Sequence, residues 1–144
     1  MRHKRLFIAA LIIILNFQFS IINTISAQDD QTSKVLRTIP QAYAFSVGMS
    51  PADSTVYMSD VLILQRAQVV KSNGFLVGRQ DYSSQFRNFL AQLDMPDRTC
   101  ATMYSENYKK ISKEYDKMKA DFIKRGFRVN IIDQTEFRYI VINN

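Results

Sequence analysis

The chain predicts a mixed α/β fold: a two-layer sandwich of a five-stranded mixed sheet and two helices, in the order β-β-α-β-α-β-β, behind an N-terminal secretory signal. Three stretches carry this reading. Thr99 to Asp133 reads as strand, helix, strand, the longest segment with a clean period. Ala42 to Met49 (AYAFSVGM) alternates strictly between bulky and small residues. Leu6 to Phe19 is a continuous apolar run behind Arg2, His3, Lys4 and Arg5.

That last stretch has the layout of a secretory signal, with Ala27 and Gln28 flanking the cleavage point after Ile25-Ser26-Ala27. The competing reading is an uncleaved anchor, because Leu6 to Ile25 is near the ~20 residues that span a bilayer. Asn16, Gln18, Ser20, Asn23 and Thr24 dilute its second half and favour cleavage. Residues 1–27 are thus assigned to the signal, 28–40 to a polar leader and 41–144 to one small α/β domain. Export to a bacterial periplasm or cell surface follows, or inner-membrane anchoring if the segment is kept.

Removing 1–27 takes Arg2, Lys4 and Arg5 from the 19 basic residues and none of the 13 acids, so the formal +6 falls to +3. It also removes His3, the one histidine. A remainder without histidine excludes a Ser-His-Asp or Cys-His catalytic group and any histidine-held metal within one chain. The modest charge gives no case for nucleic acid. Cys100 is the one cysteine, so no bridge forms within the chain. The 117 residues from Gln28 to Asn144 suffice for a single core without disulfides.

Along the domain, Ala42 to Met49 forms the first strand, with Tyr43, Phe45, Val47 and Met49 on one face. Ser50 to Ser54 has turn chemistry, and Thr55 to Leu64 returns as a second strand rich in β-branched and aromatic residues. After the Ser72-Asn73-Gly74 turn, Ser83 is the expected cap of a helix through Leu93, on which Phe86, Phe89, Leu90 and Leu93 share a face. Thr99 to Met103 is a short strand. In the next helix Tyr104, Tyr108, Ile111, Tyr115, Met118 and Phe122 recur every three or four residues, Ser105 is the expected cap, and Gly126 ends it. Phe127 to Ile131 and Phe137 to Ile142 complete the strands. With right-handed crossovers, the first, third and fourth strands run parallel in the middle and the hairpin partners take the edges. If both helices cover one face, the other, a small and partly polar surface of Ala42, Ala44, Ser46, Gly48, Arg128 and Asn130, stays open for a partner chain.

Ligands in such sheets sit beyond the C-terminal ends of parallel strands. The loops there offer Ser50, Asp53 and Ser54, then Tyr104, Ser105, Glu106 and Asn107, then Gln134 and Thr135. Against this stands their ordinary use as turn and cap residues. Arg79, Asp81 and Tyr82 form a compact polar group, and Arg98 precedes the central strand; a guanidinium there grips a carboxylate or pins a loop. The residues with a binding role open to them are Arg79, Asp81, Tyr104, Ser105 and Asn107. Cys100, with no base to ionise it, reads as a small buried residue. The lysines of the long helix alternate with Glu114, Asp116 and Asp121, as a solvated face does.

The sequence contains no zinc spacing, calcium loop, nucleotide fingerprint or serine elbow. The leading expectation is a small exported binding or assembly domain without catalysis or cofactor, with a protein partner in the cell envelope and membrane contact only through the N-terminal segment. The alternative is a hydrolase or transferase using Asp53, Asp60 or Asp81 with Arg79 or Arg98, with or without a divalent metal, which requires those groups to converge.

Overall fold

The structure is a computed structural model that describes residues 35–142. The signal, its cleavage point at Ala27 and Gln28, and most of the polar leader lie outside the described residues. The elements are β1 (Leu36–Met49), β2 (Thr55–Ser59), β3 (Leu62–Val70), α1 (Arg79–Gln92), β4 (Thr99–Ser105), α2 (Tyr108–Lys124) and β5 (Arg128–Ile132). A five-stranded mixed sheet with two helices is therefore the fold.

Its backbone is β1. Alternation over 42–48 buries both faces of this strand, so it takes the centre and pairs on both edges. On one side it pairs antiparallel with β2 (Val47 opposite Met58) and then with β3 (Ala44 opposite Leu62). Between those two registers β1 supplies Phe45 and Ser46 while the partner supplies Ser59, Asp60 and Val61. The extra residue is a β-bulge, and it divides the single strand expected over 55–64 into two. Ser59 and Asp60 are accommodated there: Ser59 Oγ accepts from the Ser46 amide at 2.9 Å, and the Asp60 amide donates to the Ile132 carbonyl at 2.9 Å.

On its other side β1 pairs antiparallel with β4, Val47 opposite Ala101. β5 pairs parallel with β2, Val56 opposite Val129. The order β4, β1, β2, β5 places β4 and β5 in the same direction with two antiparallel strands between them. The expected parallel trio at the centre is thus corrected: β1 runs against β4, and the edges belong to β4, to β5 beside β2, and to β3 beyond the bulge. The expected last strand at Phe137 to Ile142 is also corrected. That segment crosses α1 instead, where the Gln85 side chain meets the Ile140 backbone through both its donor and its acceptor at 2.8 Å. The Ile142 amide donates to the Tyr82 hydroxyl at 3.0 Å.

The two helices lie on opposite faces of the sheet, so helical cover comes from both sides rather than one. The bulky face of β1 meets α2: Phe45, Val47, Val56 and Met58 pack with Ile111, and Tyr115, Met118 and Phe122 join them. From Ile111 onward the seam expected on this helix is the face that meets the sheet; Tyr108 is exposed, and Tyr104 belongs to β4 and packs on the α1 side instead. The small face meets α1, because short side chains let a helix with large ones come close. Leu90 Cδ1 would stand only 2.7 Å from a Cβ added at Gly48, and Tyr82, Phe86 and Leu90 are fully buried. Of the surface expected to remain open, Ala42, Ala44, Ser46 and Gly48 are covered by α1 and by Phe137 and Tyr139 of the C-terminal segment, while Arg128 and Asn130 on β5 stay exposed.

Helix ends differ from expectation by a few residues. Gly78, in the left-handed region at φ 68°, precedes α1, so the helix begins four residues before Ser83. For α2 the cap is Asn107, whose side chain accepts from the Lys110 amide, and Ser105 Oγ accepts from the Asn107 amide at 3.0 Å. Gly126 at φ 86° follows α2 as expected. No described helix is long and apolar enough to cross a membrane.

Candidate functional site: a basic groove beside the β4 edge

A groove of about 670 Å³ lies between one flank of α1 and the outer edge of β4. Arg79, Ser83 and Arg87 line it from the helix, with Gln80 and Ser84 beside them. Cys100, Ala101 and Thr102 line it from the strand. Successive strand residues point to opposite faces, so three in a row reach one groove only where it meets the backbone edge.

That edge turns backbone groups outward at the half-buried Cys100 and Tyr104, with the fully buried Thr102 between them. The Ser46 amide points toward β2, because it bonds Ser59 Oγ. By alternation Phe45 and Val47 point toward β4, which assigns the β1 ladder to Ala101 and Met103. The backbone groups of Cys100, Thr102 and Tyr104 therefore face away from β1, toward the groove. Among the described residues no further strand pairs with β4.

Helix and strand keep step along the groove. Four helical residues advance ~6 Å and two strand residues ~6.6 Å. Arg79, Ser83 and Arg87 thus fall opposite Tyr104, Thr102 and Cys100. Ser83 Oγ lies 3.0 Å from Thr102 Oγ1 in the middle. At one end Arg87 is near enough to favour the Cys100 thiolate, and at the other Arg79 favours the Tyr104 phenolate. Burial outweighs both: it pushes the Cys100 thiol up to about 11 and raises the Tyr104 hydroxyl. Cys100 stays a thiol at neutral pH, so it serves as packing and not as a nucleophile. None of the described residues lining the groove is acidic, and the groove is net positive.

Beneath the groove a chain of hydroxyls closes the core. Ser46 Oγ lies 2.6 Å from Thr102 Oγ1 and 2.7 Å from the Tyr139 hydroxyl. Burial pushes Tyr139 up to about 12, and among the described residues no carboxylate or imidazole joins the chain to act as a base. These bonds satisfy polar groups that would otherwise be stranded in the core.

The residues singled out from sequence separate into two groups. Arg79 lines the groove. Asp81 sits at the exposed start of α1, its amide donating to the Gly78 carbonyl. Tyr104, Ser105 and Asn107 have local tasks: the Tyr104 hydroxyl donates to the Gly74 carbonyl, and the other two build the start of α2. Glu106 pairs with Arg37 at 2.7 Å. The C-terminal ends of β4 and β1 lie at opposite ends of the sheet, so the three loops expected to gather a ligand do not meet.

Nor do the carboxylates converge. Asp53 pairs with Arg98 at 2.5 Å, Asp60 accepts from the Gln134 amide at 3.1 Å, and Asp81 lies beside Gly78. Arg98 is a loop pin: it is buried, stacks on Tyr57 with its guanidinium carbon 4.6 Å from the ring centre, and donates to the Thr55 carbonyl. No group of three metal-ligating side chains stands together among the described residues. Sequence reasoning missed Arg87 and the β4 edge. The four-residue spacing of Arg79, Ser83 and Arg87 was the available signal for the first. Comparison with protein-family models, with curated proteins and with solved structures finds no match to this chain.

Proposed function

We propose that the chain is a small exported binding or assembly domain of the bacterial periplasm or cell surface, without catalytic activity. It holds a protein partner of the envelope by taking an extended segment of that partner onto the β4 edge. The observation that carries this reading is the groove itself: outward-facing backbone groups of an edge strand, beside a helix flank that supplies side-chain contacts. Addition of a strand to an exposed edge combines these two elements, main-chain bonds for affinity and flanking side chains for selectivity.

Site-resolved photo-crosslinking in the producing cell tests it. A photoreactive residue replacing Ala101 or Ser84 is expected to yield the same crosslinked partner, and one replacing Lys117 on α2 to yield none. Crosslinks from Lys117 alone, or none from any position, would contradict the proposal.

A further inference from the structure

We infer that the groove selects an extended peptide with carboxylates at two positions four residues apart and a small residue midway. This rests on the reading of the β4 edge as a polypeptide-binding site and adds the chemistry of the occupant. Both arginines are exposed side chains of one helix flank, eight residues or ~12 Å apart. Strand positions four apart are separated by ~13 Å and point to the same face. An added strand in register with β4 thus brings two such side chains alongside Arg79 and Arg87 together. Positions three apart point to opposite faces and bring only one.

The middle rung has a different character. Thr102 is fully buried, with its hydroxyl between Ser46 and Ser83, so the space there is already filled. A large side chain on the occupant at this rung meets Ser83, and a small one does not. Cys100 and Tyr104, half-buried on either side, are where main-chain bonding begins. No acid stands among the described residues lining the groove, Glu106 is felt only at the Tyr104 end, and paired guanidinium donors suit the planar geometry of a carboxylate.

Labelled peptides of about nine residues, long enough to cross the groove as a strand, test this against the full chain by fluorescence anisotropy. One carries Asp at two positions four apart with Ala midway. A second has the Asp residues three apart, and a third has Asn at both sites. The first is expected to bind at least about tenfold more tightly than the others, and to weaken with ionic strength. Arg79→Gln and Arg87→Gln are each expected to cost it about tenfold while leaving the Asn peptide unaffected. N-methylating alternate backbone amides should abolish binding in one phase and spare it in the other.

Equal binding of all three peptides, still sensitive to N-methylation, overturns the carboxylate spacing and leaves strand addition standing. Absence of binding by every peptide overturns both readings. So does a chain that dimerises through β4 and excludes the peptides, since the occupant is then a second copy.

Discussion

Arg98 shows how one buried cation organises a turn. Its side chain stacks on Tyr57 and reaches Asp53 and the Thr55 carbonyl, joining the β1–β2 turn to the start of β4. Arg98→Ala is expected to cost about 2 kcal/mol, read as a lower urea midpoint. The Arg98 hydrogen bond, aided by the Thr55 amide, holds the Asp53 carboxyl below its ordinary value of 3.8. Its contribution is therefore present above that value and is lost as pH falls through the folded-state value. Asp53→Asn should flatten the loss of stability on acidification below about pH 4, measured as Tm against pH. Cys100, held to about 11 by burial, should react with a disulfide reagent at pH 8 far more slowly in the folded chain than in urea. Much at this scale was legible in sequence: turn chemistry at Asp53, glycine at 126, a cysteine without an activating base. Arg98 was recognised as a candidate grip, but its burial depends on Tyr57 and Asp53, far away in sequence.

Elements were legible where a period was long and illegible where a contact decided the outcome. The α2 seam is the sheet-facing surface because its three-and-four spacing has only one use next to an apolar sheet face. The bulge at Ser59 to Val61 follows from the pairing of β2 and β3 with one shared strand, which no local pattern encodes. Likewise Phe137 to Ile142 has strand-like composition, yet its backbone bonds go to the Gln85 side chain. The small face of β1 was read correctly as small and incorrectly as open. Gly48→Ala tests the α1 contact that closes it. The added methyl would meet Leu90 at 2.7 Å and Cys100 at 3.0 Å, so a loss of about 1–3 kcal/mol is expected. Calorimetry should show a smaller loss when Leu90→Ala is also present, since the methyl then has room. Asn107→Ala removes the α2 cap and should cost about 1 kcal/mol by the same measurement.

At the scale of the whole molecule, a helix on each face leaves the rim of the sheet as the place where backbone groups can still take a partner. Phe137 seals the α1 side by packing on Phe86 and Phe89, with ring centres 5.1 and 5.2 Å away. Phe137→Ala should therefore cost about 3 kcal/mol while leaving the β4 edge in place. The groove was only half legible for a physical reason. Arg79 can be noticed in a sequence, but which strand lies at an edge is settled by the pairing of the complete sheet. In the proposed function the outward amides of β4 accept a partner strand. Residue-resolved hydrogen exchange, with and without the spaced-Asp peptide, tests it most directly. Slowed exchange at Cys100 and Tyr104, with α2 amides unchanged, is the predicted result; unchanged β4 amides under saturating peptide would contradict it.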